Sequence, residues 1–294
     1  MKYKVIHKTT YVYGETVPVC HNQVYLAPRV FRHQSCRTHR LSIKPSPTVS
    51  ESREDYFGNK TCFFSIEESH RRLSVTAISR VDVRSPSYPE PSTTPNWETI
   101  AQDVAGPAPP ARIAIGQFAF KSPSIHWFPD LEAYTRESFS PGRPILEATM
   151  ELMSRVHAEF KYDPTVTTVQ TPVDEVFQHR HGVCQDFAHL MIACLRSIGL
   201  AARYVSGYLR TIPPQGEEKL VGADATHAWL GVYCGGKLWV GVDPTNDRLV
   251  GDDHITLAWG RDYTDVCPIK GVYLGGSIQN MNVSVDVIPL TSPS

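Results

Sequence analysis

Three regimes of hydrophobic patterning follow one another along the chain. From residue 1 to about 85, short runs alternate apolar and polar positions, as in YKVIHKTTYVY, HRLSIKP, CFFSIEE and LSVTAISRVDVR. Period-two alternation marks strands with one buried face, and turn residues such as Phe57-Gly58-Asn59-Lys60 separate them. The pattern predicts an N-terminal, all-β, sandwich-like domain over residues 1–85. Residues 86–112 break it with SPSYPEPSTTPNW and GPAPPAR. Prolines at this density exclude a central strand or a long helix. The segment reads as a surface linker with one short helix around Trp97 to Val104.

Beyond residue 113 the period changes. PILEATMELMSRVHAEFKY places Ile145, Leu146, Met150, Leu152, Met153, Val156 and Phe160 near a 3.6-residue repeat, and VDEVFQHRHG is a shorter helical turn. In HGVCQDFAHLMIACLRSIGL, Phe187, Leu190, Met191, Cys194, Leu195 and Ile198 recur at steps of three and four, and Gly199 suits a helix stop. Strand patterning returns from Gly199 to about 243 and again near 283–288. The fold class is therefore α+β, with the second domain spanning 113–294.

The bulk numbers narrow the partners. The chain has 294 residues, 41% of them hydrophobic and 20% charged, with a net charge of −1. That balance is ordinary for a globular protein and gives no electrostatic ground for a nucleic-acid or anionic-membrane partner. No apolar run reaches the roughly 18 residues that a membrane helix needs. The N-terminus, MKYKVIHKTTYVYGETV, alternates like a strand and lacks the apolar core of a secretory signal. The seven cysteines (20, 36, 62, 184, 194, 234 and 267) are odd in number and widely spread. They read as mostly reduced thiols in a cytoplasmic protein. No CxxC pair is present, which argues against structural zinc; no metal and no cofactor is expected.

Cys184 stands apart from the other cysteines because it sits at or near a helix N-terminus. Unpaired N–H groups and the helix dipole there favour a thiolate and can cradle an oxyanion. The competing reading is a small core hydrophobe, which fits Cys194 inside the apolar stripe. The stretch alone does not decide for Cys184; a partner base would.

That base is sought in THAWLGVYCGGKLWVGVDPTND, residues Thr226 to Asp247. Gly235-Gly236 between two alternating runs signals a hairpin. A three-residue loop, Gly235 to Lys237, pairs Cys234 with Leu238. One face then carries Ala228, Leu230, Val232, Cys234, Leu238, Val240 and Val242, all apolar. The other carries His227, Trp229, Tyr233, Trp239 and Asp243. A one-residue slip would mix the faces, so burial selects this register. It sets Asp243 opposite Trp229 and diagonal to His227, at a backbone spacing of roughly 7–8 Å that a His–Asp hydrogen bond can span. A histidine oriented by an aspartate is a general base, and Cys184, His227 and Asp243 form a nucleophile, base and orienter.

GVCQDFAHL with ARYVSGYL, then HAWLGVY, then WVGVDPTN, closely resemble the three catalytic blocks of the transglutaminase-like superfamily, over roughly 180–247. FKYDP and TPVDEVFQHR fit the lead-in, and the N-terminal pattern around DYFGN resembles the β domain of its bacterial branch. The resemblance implies a papain-like core, with the cysteine helix packed on an antiparallel sheet. It implies Cys184 as nucleophile, His227 as general base and acid, and Asp243 as orienting group. Animal transglutaminases carry tryptophan after the cysteine, where this chain has Gln185. Their calcium sites are not visible here, and DPTNDRLVGDDH, though acidic, lacks the glycine of a calcium loop.

The remaining assignments are weighed against plain packing. Gln185 is a candidate oxyanion donor. Tyr208 and Trp229, with Tyr204 and Trp239, are candidates for the cleft lining, sheet packing being the competing reading. His189, five residues after the cysteine, points away from it and reads as structural. Asp186 reads as complementing the dipole and capping free N–H groups. GRDYTDVCPIKGVYLGG reads as a loop-rich closing region bordering the cleft. The expected function is cysteine-dependent acyl transfer on a peptide, protein or carboxamide through a thioester, with hydrolysis favoured over amine cross-linking. The alternative is a non-catalytic peptide-binding module.

Overall fold

The computed structural model describes residues 1–106, 110–211, 225–275 and 279–290. The first six strands are β1 (Lys2–Val17), β2 (Cys20–Val24), β3 (Gln34–Lys44), β4 (Val49–Glu54), β5 (Lys60–Ile66) and β6 (His70–Val83). β1 and β3 flank β6 in one antiparallel sheet; β2 and β4 flank β5 in another. Alternate residues point inward, and Tyr3, Val5, Leu73 and Val75 from the first sheet meet Val24, Phe64 and Ile66 from the second in one buried cluster. The expected sandwich is therefore present, held by the alternation that announced it.

The proline-rich segment carries α1 (Trp97–Ala105), one residue longer than expected, and leads into α2 (Pro110–Gly116). Trp97 and Ile100 are buried and join the core of the second half, so this helix anchors the linker. Then come α3 (Pro129–Ser138), α4 (Ile145–Glu159), the short β7 (Lys161–Tyr162), α5 (Val173–His179), the short β8 (His181–Gly182) and α6 (Cys184–Ser197). β7 and β8 pair in parallel just ahead of α6.

The second sheet system contains β9 (Ala202–Leu209), β10 (Ala225–Tyr233), β11 (Trp239–Asp243), β12 (Arg248–Leu249) and β13 (His254–Gly260). Its order is β12-β11-β10-β9-β13, antiparallel throughout. Ala228, Leu230, Val232, Cys234, Val240 and Val242 form the apolar face and share a buried cluster with Leu190, Met191 and Leu195 of α6. The register is the one burial selects: Leu230 faces Val242, Val232 faces Val240, and Cys234 N–H donates to Leu238 O at 2.9 Å. Residues 212–224, inside the stretch read as strand, lie outside the described residues.

Two expectations are corrected by the chain's end. After α7 (Tyr263–Val266), β14 (Ile269–Tyr273) pairs with β2 and β15 (Gln279–Pro289) pairs with β1. The last two strands thus complete both sheets of the N-terminal sandwich, and 113–294 is not one unit. GRDYTDVCPIKGVYLGG, read as a loop beside the cleft, supplies α7 and the edge strand β14; its Gly276 lies outside the described residues. Alternation reports that a strand has a buried face. It does not report which strand it joins, because that pairing is non-local.

The two halves meet along β13, the edge of the core sheet. Gln34 donates its amide to Thr256 O at 2.7 Å and accepts Thr256 N–H at 2.8 Å. Asn59 does the same to Trp259, accepting its N–H at 3.0 Å and donating to its carbonyl at 2.8 Å. Two carboxamides thus stand in for a neighbouring strand and satisfy an edge that would otherwise be open. Tyr208, Ile255 and Leu257 of the core sheet complete the contact by joining the sandwich cluster.

Candidate active site

Cys184 opens α6, with extended Val183 as its N-cap residue. Valine has no side-chain acceptor, so the cap comes from the other direction. Asp186 folds back and accepts Val183 N–H at 2.8 Å and the Thr167 hydroxyl at 2.7 Å on one oxygen. Gly182 makes room for it: a Cβ there would lie 2.8 Å from Asp186 Cβ. Asp186 is buried, and burial raises its pKa, opposed by those two hydrogen bonds. It is the capping residue read from the sequence. Cys184 itself is half-buried, unlike Cys194 and Cys234, which lie in the core. The first N–H groups of α6 have no intrahelical acceptor.

His227 and Asp243 come together as the hairpin register requires. His227 Nε2 donates to Asp243 Oδ2 at 2.8 Å, leaving Nδ1 as the ring nitrogen available to the thiol. Asp243 is fully buried and His227 nearly so. Burial opposes the imidazolium, but hydrogen bonds to Asp243 and to Cys184 outweigh it and push its pKa up to about 10. Burial likewise opposes the Asp243 carboxylate, yet hydrogen bonds from His227 and His254 hold it well below the usual carboxylate range. The structure brings Cys184, His227 and Asp243 into one constellation.

Two participants were not read from the sequence. His254 Nε2 lies 3.1 Å from the same Asp243 oxygen, while its Nδ1 lies 2.8 Å from Asp253 Oδ1. Asn246 Nδ2 donates to Asp243 Oδ2 at 2.7 Å, and Thr245 N–H donates to Oδ1 at 3.1 Å. Asn246 had a local signal, since an Asp-Pro-x-Asn turn brings both side chains together. His254 had none: β13 reaches Asp243 only through the sheet order. Ligand atoms of His227, Asp243 and His254 lie within 4.8 Å of one another, a spacing that suits a metal. Both histidines already donate to one carboxylate oxygen, so hydrogen bonding accounts for the cluster.

The cleft candidates fare differently. Gln185 donates its amide to Val169 O at 3.1 Å, which ties it to the loop before α5. Tyr208 departs from the expectation: it is buried against the sandwich, its hydroxyl 3.0 Å from His7 Nδ1. Trp229 is buried as well; its ring lies 6.0 Å from His227 and 5.2 Å edge-on from His254, so it walls the imidazoles. Tyr204 is buried beside His189, whose Nε2 accepts Tyr263 N–H at 3.1 Å. Burial lowers the His189 pKa to about 4, as befits a neutral structural histidine.

The fold and this constellation define the class. Residues 3–82 match the bacterial transglutaminase-like N-terminal region, and residues 132–244 match the transglutaminase-like superfamily core. The chain belongs to the transglutaminase-like superfamily, in its bacterial form with the N-terminal β region. An uncharacterized protein of Mycobacterium tuberculosis is 40% identical over 98% of this chain and 93% of its own length. A protein-glutamine gamma-glutamyltransferase of Pseudomonas aeruginosa is 29% identical over 44% of this chain but only 23% of its own length. Among solved structures, a candidate cysteine protease from Cytophaga hutchinsonii shares the fold, with a TM-score of 0.75 at 22% identity, covering 100% of this chain and 92% of that one. Membership in this superfamily supports a cysteine-dependent enzyme.

Proposed function

We propose that this protein is a cysteine-dependent acyl-transfer enzyme acting on peptide, protein or carboxamide substrates. Cys184 Sγ attacks the carbonyl carbon, and the developing oxyanion faces the free N–H groups of the first turn of α6. His227 gives its proton to the departing amine or ammonia, and a thioester remains on Cys184. His227 then takes a proton from the incoming nucleophile, which expels the thiolate. Asp243 holds the imidazole in the orientation that faces the sulfur and stabilises its charge.

The observation that carries this reading is the placement of the His227 ring, whose Nε2 is held by a buried carboxylate at 2.8 Å while its other side meets the thiol of Cys184 at a helix N-terminus. Hydrolysis is the favoured second step, because water needs no dedicated site whereas amine transfer needs one that excludes water. The test is a glutamine-containing peptide library assayed for ammonia release, peptide cleavage and amine incorporation. Wild type is expected to hydrolyse, and Cys184→Ala to lose all turnover. Turnover that survives Cys184→Ala refutes the mechanism; amine incorporation exceeding hydrolysis refutes the choice of acceptor.

A further inference from the structure

Two arginines packed into the core half of the molecule, Arg196 buried and Arg203 partly buried, are treated in opposite ways. Arg196 is fully answered: its guanidinium donates to the carbonyls of Ala202, Phe120 and Arg261 and to the Ser122 hydroxyl. Arg203, on β9, has no such set. No hydrogen bond or ion pair joins its guanidinium to any described residue, and its Nε is buried without a partner. Its carbon lies 4.3 Å from the ring centre of Trp239 and 3.8 Å from that of Trp259. Arg29 packs on Trp259 as well, at 3.5 Å, and its own Nε is also buried without a partner. Burial and the neighbouring Arg29 charge lower the Arg203 pKa to about 9, which leaves it cationic at neutral pH.

Arg203 is partly buried, and a cation with a buried N–H left unanswered is costly, so the position is suited to a partner at its open edge. The surroundings are shaped for one. Arg203 faces Gly231 across the β9–β10 ladder, and a Cβ at Gly231 would lie 3.1 Å from Arg203 Nε. The glycine leaves the hollow in which the arginine lies. An open cleft of about 480 Å³ borders the guanidinium, lined by Arg29, Phe57, Phe118, Arg203, Trp239 and Trp259. On the ladder, Arg203 sits four residues from Gly207, which faces His227, or about 13 Å along the strand. The guanidinium therefore lies at the other end of this ladder from His227, although Arg203, Trp239 and Trp259 also line a cavity that Trp229 and His254 share.

We propose that this cleft is a binding site for a carboxylate carried on an apolar or aromatic body. Indoles pack on the guanidinium, so its N–H fork is met along its edge, where a planar carboxylate accepts two parallel hydrogen bonds. The aromatic walls take the body, and the second arginine adds charge. A small free acid and the C-terminus of a peptide offer the same chemistry.

The test is equilibrium binding followed by tryptophan fluorescence and thermal midpoint. The probes are 3-phenylpropionate, its neutral amide, inorganic phosphate, and N-acetyl-Ala-Ala-Phe as free acid and as amide. Saturable binding of either acid to wild type, at least tenfold tighter than its amide and than phosphate, is expected. The tighter of the two acids identifies the source of the carboxylate. Arg203→Met, which replaces a partly buried cation by an apolar chain, should fold and bind the acid at least tenfold more weakly. Gly231→Ala should weaken binding without removing the charge, and Cys184→Ala should leave it unchanged. Equal affinity for acid and amide in wild type, tighter binding of phosphate, or undiminished binding by folded Arg203→Met overturns the proposal.

Discussion

Asp243 is fully buried and still ionised, because His227, His254 and Asn246 all donate to one of its oxygens. His254 therefore acts on the imidazole through the carboxylate. A hydrogen bond to a charged group contributes about 1.5–3 kcal/mol, so His254→Asn, too short to reach Asp243, is expected to lower turnover roughly ten- to a hundredfold. Unchanged kcat would remove His254 from the account. The raised pKa of His227, about 10 against an ordinary 6.5, also makes a statement about stability. A folded-state pKa above the unfolded one contributes stability that is fully present below about 6.5 and lost as pH rises through about 10. The stability deficit of His227→Gln, measured by urea unfolding, should therefore shrink between pH 7 and pH 10. A deficit that grows with pH contradicts the assignment. At this scale the sequence carried Cys184, His227 and Asp243, because helix period and hairpin register are both local. His254 arrives on a strand that joins the sheet from the far side of β9, and no local pattern announces that.

At the scale of elements, the N-terminus of α6 and the β10–β11 hairpin do most of the positioning. The helix start depends on a reversed cap, in which Asp186 serves the Val183 N–H. Asp186→Ala should cost about 1–2 kcal/mol in urea unfolding, the usual loss for a cap, and should slow alkylation of Cys184 by loosening the first turn. A variant as stable and as reactive as wild type would show that the turn needs no cap. The hairpin was readable down to its three-residue loop, because only one register leaves a uniformly apolar face against α6. Tyr208 departs from its expected place for a related reason. β9 is covered on both sides, by α6 and by the sandwich, so its outward side chains enter a second core.

For the whole molecule, the consequence lies in how the ends of the chain meet. The sandwich needs β14 and β15, which follow the catalytic core in sequence, so the core is inserted within it. A fragment of residues 1–90 lacks an edge strand of each sheet and is expected to lack a cooperative thermal transition. A sharp transition in that fragment would restore the boundary drawn from patterning. Gln34 carries much of the contact between halves, bonding the Arg29 and Thr256 carbonyls and the Thr256 N–H. Gln34→Ala leaves the buried Thr256 N–H unanswered, while the Thr256 carbonyl keeps the Arg29 N–H, and should cost about 1–3 kcal/mol by chemical denaturation. Neither the return of the last strands nor the carboxamide clamp on β13 could be read from the chain, since both depend on partners some 200 residues away.

The central claim is that Cys184 is an activated thiol. Its most direct test is the iodoacetamide alkylation rate of each of the seven cysteines against pH, mapped by mass spectrometry in wild type and His227→Ala. The account predicts that Cys184 alone reacts fast below pH 7 and slows when His227 is removed. Cys184 reacting no faster than the other half-buried cysteines, with no response to His227→Ala, would contradict it.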